Sequence, residues 1–521
     1  MGEGGTALLE AGIEALLLLA TVERMMFLVL GCMLGLLVGI LPGLGGTVGM
    51  SILLPFIYGM DSASGIALLV GLIAVTSTSD TFPSVLMGIP GSAGSQATIM
   101  DGYPLAQKGQ AARALGAGFT SSLIGGLIGA VSLLGLIAVA RPLVLALGSP
   151  ELLMLALLGL STVGVLSSGV PLLGLAAGFL GLFIGSIGAA PAHPTLRFTM
   201  GFSYLNDGIS LALVALGLFA VPEIIDLLAN RRSVSSEGVS SAHGQFQGLK
   251  DTLKNMGLVV RSSLLGVGVG VLPGVGGSVV DWLSYSAARQ TVRDNSQFGK
   301  GDIRGVIAPE SSNNAKEGGS LIPTLLFGIP GSGSTAMLLG GLILLDIQVG
   351  PDMVGANLHI TMSIVWTLAI ANVIATTFCF GLIKQVSRIA IIPAQKLMPF
   401  LIVIIFVAAY QSSRRWGDIV TVLVIGVIGW TMKQVGWPRP ALLIGFVLGV
   451  PAERYLRISM EIYGYEWMRR PGVIAIAALL AVFLVFGFRR AKKQQSDVDP
   501  ERPFEPGSEE GSDLDRREHR D

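Results

Sequence analysis

Charge is what this chain has least of. Asp, Glu, Lys and Arg together make up 13 % of its 521 residues, with 34 acids balancing 34 bases. A soluble domain carries about a quarter charged residues, so an ordinary water-soluble fold is excluded. The zero net charge suggests no nucleic-acid partner. Cysteine occurs twice, at Cys32 and Cys379, both inside apolar runs. Two such residues build no disulfide or metal framework and read as small packing side chains. The four histidines, His193, His243, His359 and His519, are scattered without ligand spacing. Residues 1–22 hold Glu3, Glu10 and Glu14 but no Lys or Arg. A signal peptide needs a basic start, so none is read there.

What the chain has in quantity is apolar side chains, at 51 %, with a mean hydropathy of +0.71. Repeated runs approaching bilayer length predict an all-α polytopic membrane protein with about 12 transmembrane segments. A β-barrel would instead show short alternating segments. Composition divides the chain into five parts. A surface segment (1–24) precedes a first membrane half (25–228), a hydrophilic linker (229–256), a second membrane half (257–488) and a polar tail (489–521). Arg489, Arg490, Lys492 and Lys493 follow the last apolar run. By the positive-inside rule they place the C-terminus in the cytoplasm. The charged, Pro- and Gly-containing tail beyond them is expected to be disordered.

Glycine is also abundant, at 71 residues, and it is not spread at random. Residues 83–92 (PSVLMGIPGS) and 323–332 (PTLLFGIPGS) agree at seven of ten positions. Residues 39–46 (GILPGLGG) and 270–277 (GVLPGVGG) agree at six of eight. Each half thus carries an LPG(L/V)GG break followed by a GIPGS break. Pro removes a backbone donor and Gly lets the chain leave helical geometry, so these stretches interrupt helices. In lipid such a break survives only where protein buries it or a wet cavity solvates it. Paired interruptions in two halves are the sequence pointer to a transporter's midplane site, and they predict two structural repeats in inverted arrangement.

The candidate substrate- or cation-binding residues follow from those breaks. In the first half they are Pro42, Gly43, Gly45, Gly46 and Thr47, then Pro90, Gly91, Ser92, Ser95 and Thr98. In the second half they are Pro273, Gly274, Gly276, Gly277 and Ser278, then Asn313, Asn314, Pro330, Gly331, Ser332, Gly333, Ser334 and Thr335. Neutral hydroxyls, amides and freed backbone N–H groups suit a carboxylate, and their oxygens suit a hard cation such as Na⁺. The polar stretch 311–317 reads equally well as part of this site or as a solvated loop capping a helix. Asp281 is expected near the membrane interface, because Arg289 and Arg293 follow it and a carboxylate at the bilayer centre is costly. Glu310 and Glu317 fit either place. GIPGSGST lacks the Lys and the preceding strand of a phosphate-binding loop. No serine has nucleophile-elbow surroundings. No catalytic residue, resident metal or cofactor is therefore expected.

These motifs resemble the large membrane subunit of the tripartite tricarboxylate transporters, the TctA family. The resemblance is densest over 270–351, from GVLPGVGGSVVDWLSYSAAR through APESSNNAKEGG to GIPGSGST. It recurs at Leu41–Gly45 and at DGYPLAQKG (101–109), and it extends through nearly all of 25–490. It implies an ion-coupled secondary transporter that imports di- or tricarboxylates across the bacterial inner membrane with Na⁺ or H⁺. It also implies two partners, a small four-helix membrane subunit and a periplasmic solute-binding protein. The chain departs from the family at the first break, where Asn-x-Pro-Gly-Glu is replaced by Gly88-Ile89-Pro90-Gly91-Ser92. Two other classes stay open on the residues alone. One is a cation-independent uniporter or channel for organic anions, and the other is a membrane enzyme.

Overall fold

The computed structural model describes residues 3–166, 170–190, 195–229, 244–274, 276–383, 385 and 394–497. Most of these are helical. In the first half the helices are α1 (Glu3–Leu19), α2 (Val22–Ile40), α3 (Gly45–Leu53), α4 (Ser62–Ser79), α5 (Thr81–Met87) and α6 (Ile99–Gln107). They are followed by α7 (Ala111–Leu145), α8 (Ser149–Leu166), α9 (Pro171–Gly185), α10 (Leu211–Ala215) and α11 (Val221–Ala229). A short antiparallel pairing of Gly188–Ala189 with Leu196–Arg197 interrupts the helices.

α12 (Gln245–Lys254) lies within the stretch read as a linker, of which residues 230–243 are outside the described residues. Then come α13 (Met256–Gly270), α14 (Gly276–Thr291), α15 (Arg304–Phe327), α16 (Gly333–Leu344), α17 (Pro351–Val354) and α18 (Leu358–Gly381). The last helices are α19 (Ala394–Ser413), α20 (Trp416–Gln434), α21 (Arg439–Tyr463) and α22 (Pro471–Asp497). The part of the expected disordered tail from 498 onward lies outside the described residues.

Six helical stretches are long and apolar enough to cross a membrane: Val22–Ile40, Ser62–Met87, Ala111–Leu145, Leu358–Gly381, Trp416–Gln434 and Pro471–Arg489. Shorter apolar helices of 10–17 residues accompany them, among them Met256–Gly270 and Gly333–Leu344. The protein is therefore an all-α, multi-pass membrane protein. Its surface agrees, since large apolar side chains such as Val139, Phe400 and Val482 stand exposed, which lipid tolerates and water does not.

α15 is the axis on which the centre is built. It packs against α7 on one side and α13 on another, with α14 alongside. α2 lies along α4, and α18 covers both α4 and α7. Small residues permit these close approaches, as membrane helix pairs require. A Cβ at Gly35 of α2 would come within 2.5 Å of the Leu72 carbonyl oxygen on α4. One at Gly125 of α7 would come within 2.1 Å of the Ser311 carbonyl oxygen on α15. A second group, α8, α9, α21 and α22, packs together beside this centre. The N-terminal surface segment is the helix α1. It lies on α18, where Trp366 Nε1 donates to the Gly12 carbonyl at 2.9 Å.

Candidate functional site

The four interruptions do break helices, and they do so in matching ways. α5 ends at Gly88 (φ 65°, ψ 22°) and α15 ends at Gly328 (φ 67°, ψ 20°). Both are left-handed caps, a conformation that costs L-residues about 1–2 kcal/mol and glycine little. The next serine in each motif restarts a helix. Ser92 caps a short 3-10 turn with Ser95, and Ser332 caps α16 with Thr335, each through a reciprocal capping box. The LPG(L/V)GG breaks turn at Gly43 (φ 82°) and Gly274 (φ 81°). Gly43 N donates to Gly91 O at 3.2 Å, and Gly274 N donates to Gly331 O at 3.3 Å. Within each half, then, the first break is tied to the second by the same bond.

The breaks also meet across the halves. Thr47 Oγ1 and Ser334 Oγ are 3.3 Å apart. A Cβ at Gly46 would lie 3.3 Å from Ser334 Oγ, and one at Gly333 would lie 3.1 Å from Thr47 Oγ1. Gly277 faces Gly94 across the halves, while Gly45 faces Ser92 within the first. Pro42 and Pro273 stand in the two LPG turns, and Pro90, Pro330 and Gly331 fill the GIPGS turns. Gly276 opens α14, while the side chain of Ser278 is outside the described residues.

Around the breaks lies a buried polar centre that sequence reasoning resolved only in part. The stretch 311–317 is no loop. It is the middle of α15, every residue of which from Gly305 to Leu326 is buried. The solvated-loop alternative is therefore corrected, because this stretch is buried helix and most of its polar groups find protein partners. Asn313 Nδ2 donates to the Ser77 carbonyl at 3.4 Å. Asn314 Nδ2 donates to Thr78 Oγ1 at 2.8 Å and to Asn372 Oδ1 at 2.9 Å. Glu310 accepts from Thr98 Oγ1 (2.7 Å), Thr81 Oγ1 (2.7 Å) and Ser122 Oγ (3.1 Å). Thr98 and Ser92 are thus the two candidate hydroxyls that serve a carboxylate directly, Thr98 at Glu310 and Ser92 at Asp80.

Asp281 joins this centre. It is fully buried and accepts from Ala97 N, beside the first GIPGS turn, so protein encloses it rather than solvent. Asp80 was not among the candidates, yet it is fully buried between α4 and α5, where its Oδ2 accepts from Ser92 Oγ. The available signal was an acid inside an apolar run, which by default marks function. Glu317 Oε1 accepts from Ser77 Oγ at 3.1 Å and pairs with Lys316 Nζ at 2.8 Å.

The centre thus holds four carboxylates and one ammonium. Asp80, Asp281 and Glu310 make no ion pair among the described residues. Four buried oxygens here have no protein partner: Asp80 Oδ1, Asp281 Oδ1, Asn314 Oδ1 and Glu317 Oε2. An unpaired buried oxygen costs a few kcal/mol, so each such atom calls for a ligand, a proton or a water. No cluster of three or more metal-type side chains occurs among the described residues.

Helices broken inside an apolar bundle, with hydroxyls and carboxylates gathered at the breaks, are the arrangement by which membrane transporters hold a solute or ion. The chain belongs to the tripartite tricarboxylate transporter TctA family, whose model matches residues 25–444. This is a transporter family, and its tripartite character implies further components. An uncharacterized 52.8 kDa protein from the TAR-I ttuC′ 3′ region of Agrobacterium vitis is 32 % identical over 458 residues. That match covers 87 % of this chain and 90 % of the relative. An uncharacterized protein from the TAR-II ttuC′ 3′ region of the same organism is 33 % identical over 194 residues, or 37 % of this chain and 80 % of its own length. No solved structure matches.

Proposed function

We propose that this protein is the ion-coupled membrane subunit that imports di- or tricarboxylates across the bacterial inner membrane. It would receive them from a periplasmic solute-binding protein and work beside a small four-helix membrane subunit. The observation that carries the reading is the meeting of all four breaks, through Thr47 and Ser334 and through Gly94 and Gly277. The freed amides and hydroxyls there are suited to hold a carboxylate, and the two halves act as inverted repeats. The charge balance supports coupling. Four buried carboxylates face one ammonium, so a polyanion entering alone would meet repulsion in a low-dielectric site. Co-bound Na⁺ or H⁺ at the unpartnered oxygens removes that repulsion. Access then alternates by motion of one body of helices against another, with the basic C-terminal residues on the cytoplasmic side.

The test is uptake of labelled citrate and succinate by membrane vesicles containing the full chain and its partners. The double substitution Pro330→Ala, Ser332→Ala should weaken apparent affinity and alter the cation dependence. Unchanged affinity and cation dependence would remove the site from the breaks. Uptake that persists at full rate after the Na⁺ and H⁺ gradients collapse would replace coupled transport with uniport.

A further inference from the structure

Among the described residues, Lys316 is the one basic side chain that is buried, with 9 % of the side chain exposed. Its ammonium lies where opposite halves meet. A Cβ at Gly277 would lie 3.2 Å from Lys316 Nζ and 3.2 Å from Gly94 Cα. The charge therefore lies beside the second LPGVGG break, at the point where that break faces the turn that follows the first GIPGS break.

Its partner is an unusual one. Lys316 pairs with Glu317, the next residue on the same helix. Successive residues on a helix point away from each other, and structural ion pairs are set three or four positions apart. Asp80, Asp281 and Glu310 share the region, and each accepts a hydrogen bond from a neighbouring hydroxyl or amide instead. Glu317 Oε1 carries both Lys316 and Ser77, while Oε2 is buried without a partner. A built-in structural bridge would use both oxygens, because a half-satisfied buried pair repays its desolvation poorly.

We propose that Lys316 is the residue that grips a carboxylate of the transported solute, and that Glu317 occupies its ammonium when no solute is bound. The proposal rests on the carboxylate-carrier reading above. On arrival, the solute carboxylate takes the Lys316 Nζ and Glu317 retains the Ser77 hydroxyl. Glu317 is then an internal competitor that sets affinity, and Lys316 is the group that selects for an anion. An ionisable side chain kept within a membrane bundle is a functional position by default.

The experiment is equilibrium binding of radiolabelled citrate and succinate to the full-length chain in lipid nanodiscs. Glu317→Gln removes the competitor and leaves the ammonium, so binding should tighten by about tenfold. The double variant Lys316→Met, Glu317→Gln leaves neither charge unpaired, so it should remain folded. Its affinity should fall at least about tenfold below that of Glu317→Gln. Lys433→Gln, at an ion pair with Glu223 and Asp226 of α11, should bind as wild type does. Unchanged or weaker binding by Glu317→Gln overturns the proposal, as does a double variant that binds as tightly as Glu317→Gln. If wild type and Glu317→Gln bind neither probe, the carboxylate reading itself fails and takes the proposal with it.

Discussion

At the scale of single residues, the carboxylates of the centre divide by how they are satisfied. Glu310 accepts three hydroxyl bonds that use both oxygens. Asp80 accepts one at Oδ2 and has a bare Oδ1. Charge-assisted bonds are worth about 1.5–3 kcal/mol, so Glu310→Gln should lower unfolding stability in detergent by roughly 1–3 kcal/mol. Asp80→Asn should cost less stability, since its free oxygen loses no protein partner, and should nonetheless abolish uptake. A large stability loss for Asp80→Asn, or normal uptake, would contradict that division. Part of this was legible beforehand. Gly43, Gly88, Gly274 and Gly328 stand where their motifs require left-handed turns, because backbone geometry depends on the residue itself. Asp80 and the Lys316–Glu317 pair were missed as a set. Ser77, which shares Glu317, lies 240 positions away in sequence, and periodicity carries no such information.

At the scale of helices, α15 shows how hydropathy misleads. Its middle reads SSNNAKEGG, polar enough to be taken for a loop, and it is the most enclosed helix of the centre. Sequence shows polarity but not whether a partner awaits it. The glycine seams were easier to foresee in kind than in place. Gly31, Gly35 and Gly39 recur at helical spacing on α2, and all three press on α4. Gly35→Ala must push back the Leu72 carbonyl at 2.5 Å, which should destabilise by about 1–3 kcal/mol, as overpacking does. Gly268→Ala on α13 meets nothing within 4 Å and should be neutral or stabilising by up to about 1 kcal/mol through helix propensity. Thermal unfolding of the two variants side by side checks the pair, and equal shifts would refute the seam.

At the scale of the whole molecule, the question is which bodies can move. Thr81 and Thr98 bind Glu310, Ser77 binds Glu317, and Thr78 binds Asn314. Separating the halves along that line would break all of these. The boundary between the centre and the group of α8, α9, α21 and α22 is mainly apolar where α8 meets the second break. There a Cβ at Gly159 would lie 3.2 Å from Ile329 Cβ, and one at Gly274 would lie 2.7 Å from Val163 Cα. Under the proposed alternating access, that boundary is where sliding is expected. A Gly159→Cys, Ile329→Cys pair, with Cys32 and Cys379 replaced by Ser, has a Cβ spacing just under the usual ~3.5–4.5 Å of a disulfide. Oxidation should arrest uptake and reductant should restore it. Full transport by the oxidised protein would rule out motion at this boundary.

The same long-range bonds bear on how the chain is made. The first half leaves the ribosome with Ser77, Thr78 and Thr81 in an apolar segment, while their partners on α15 are still untranslated. Lipid offers those groups nothing, so the early helices must wait at the insertion machinery, or in one another's shelter, until α15 arrives. Expressed alone, the N-terminal portion should be degraded, and supplying the C-terminal portion as a separate polypeptide should rescue it.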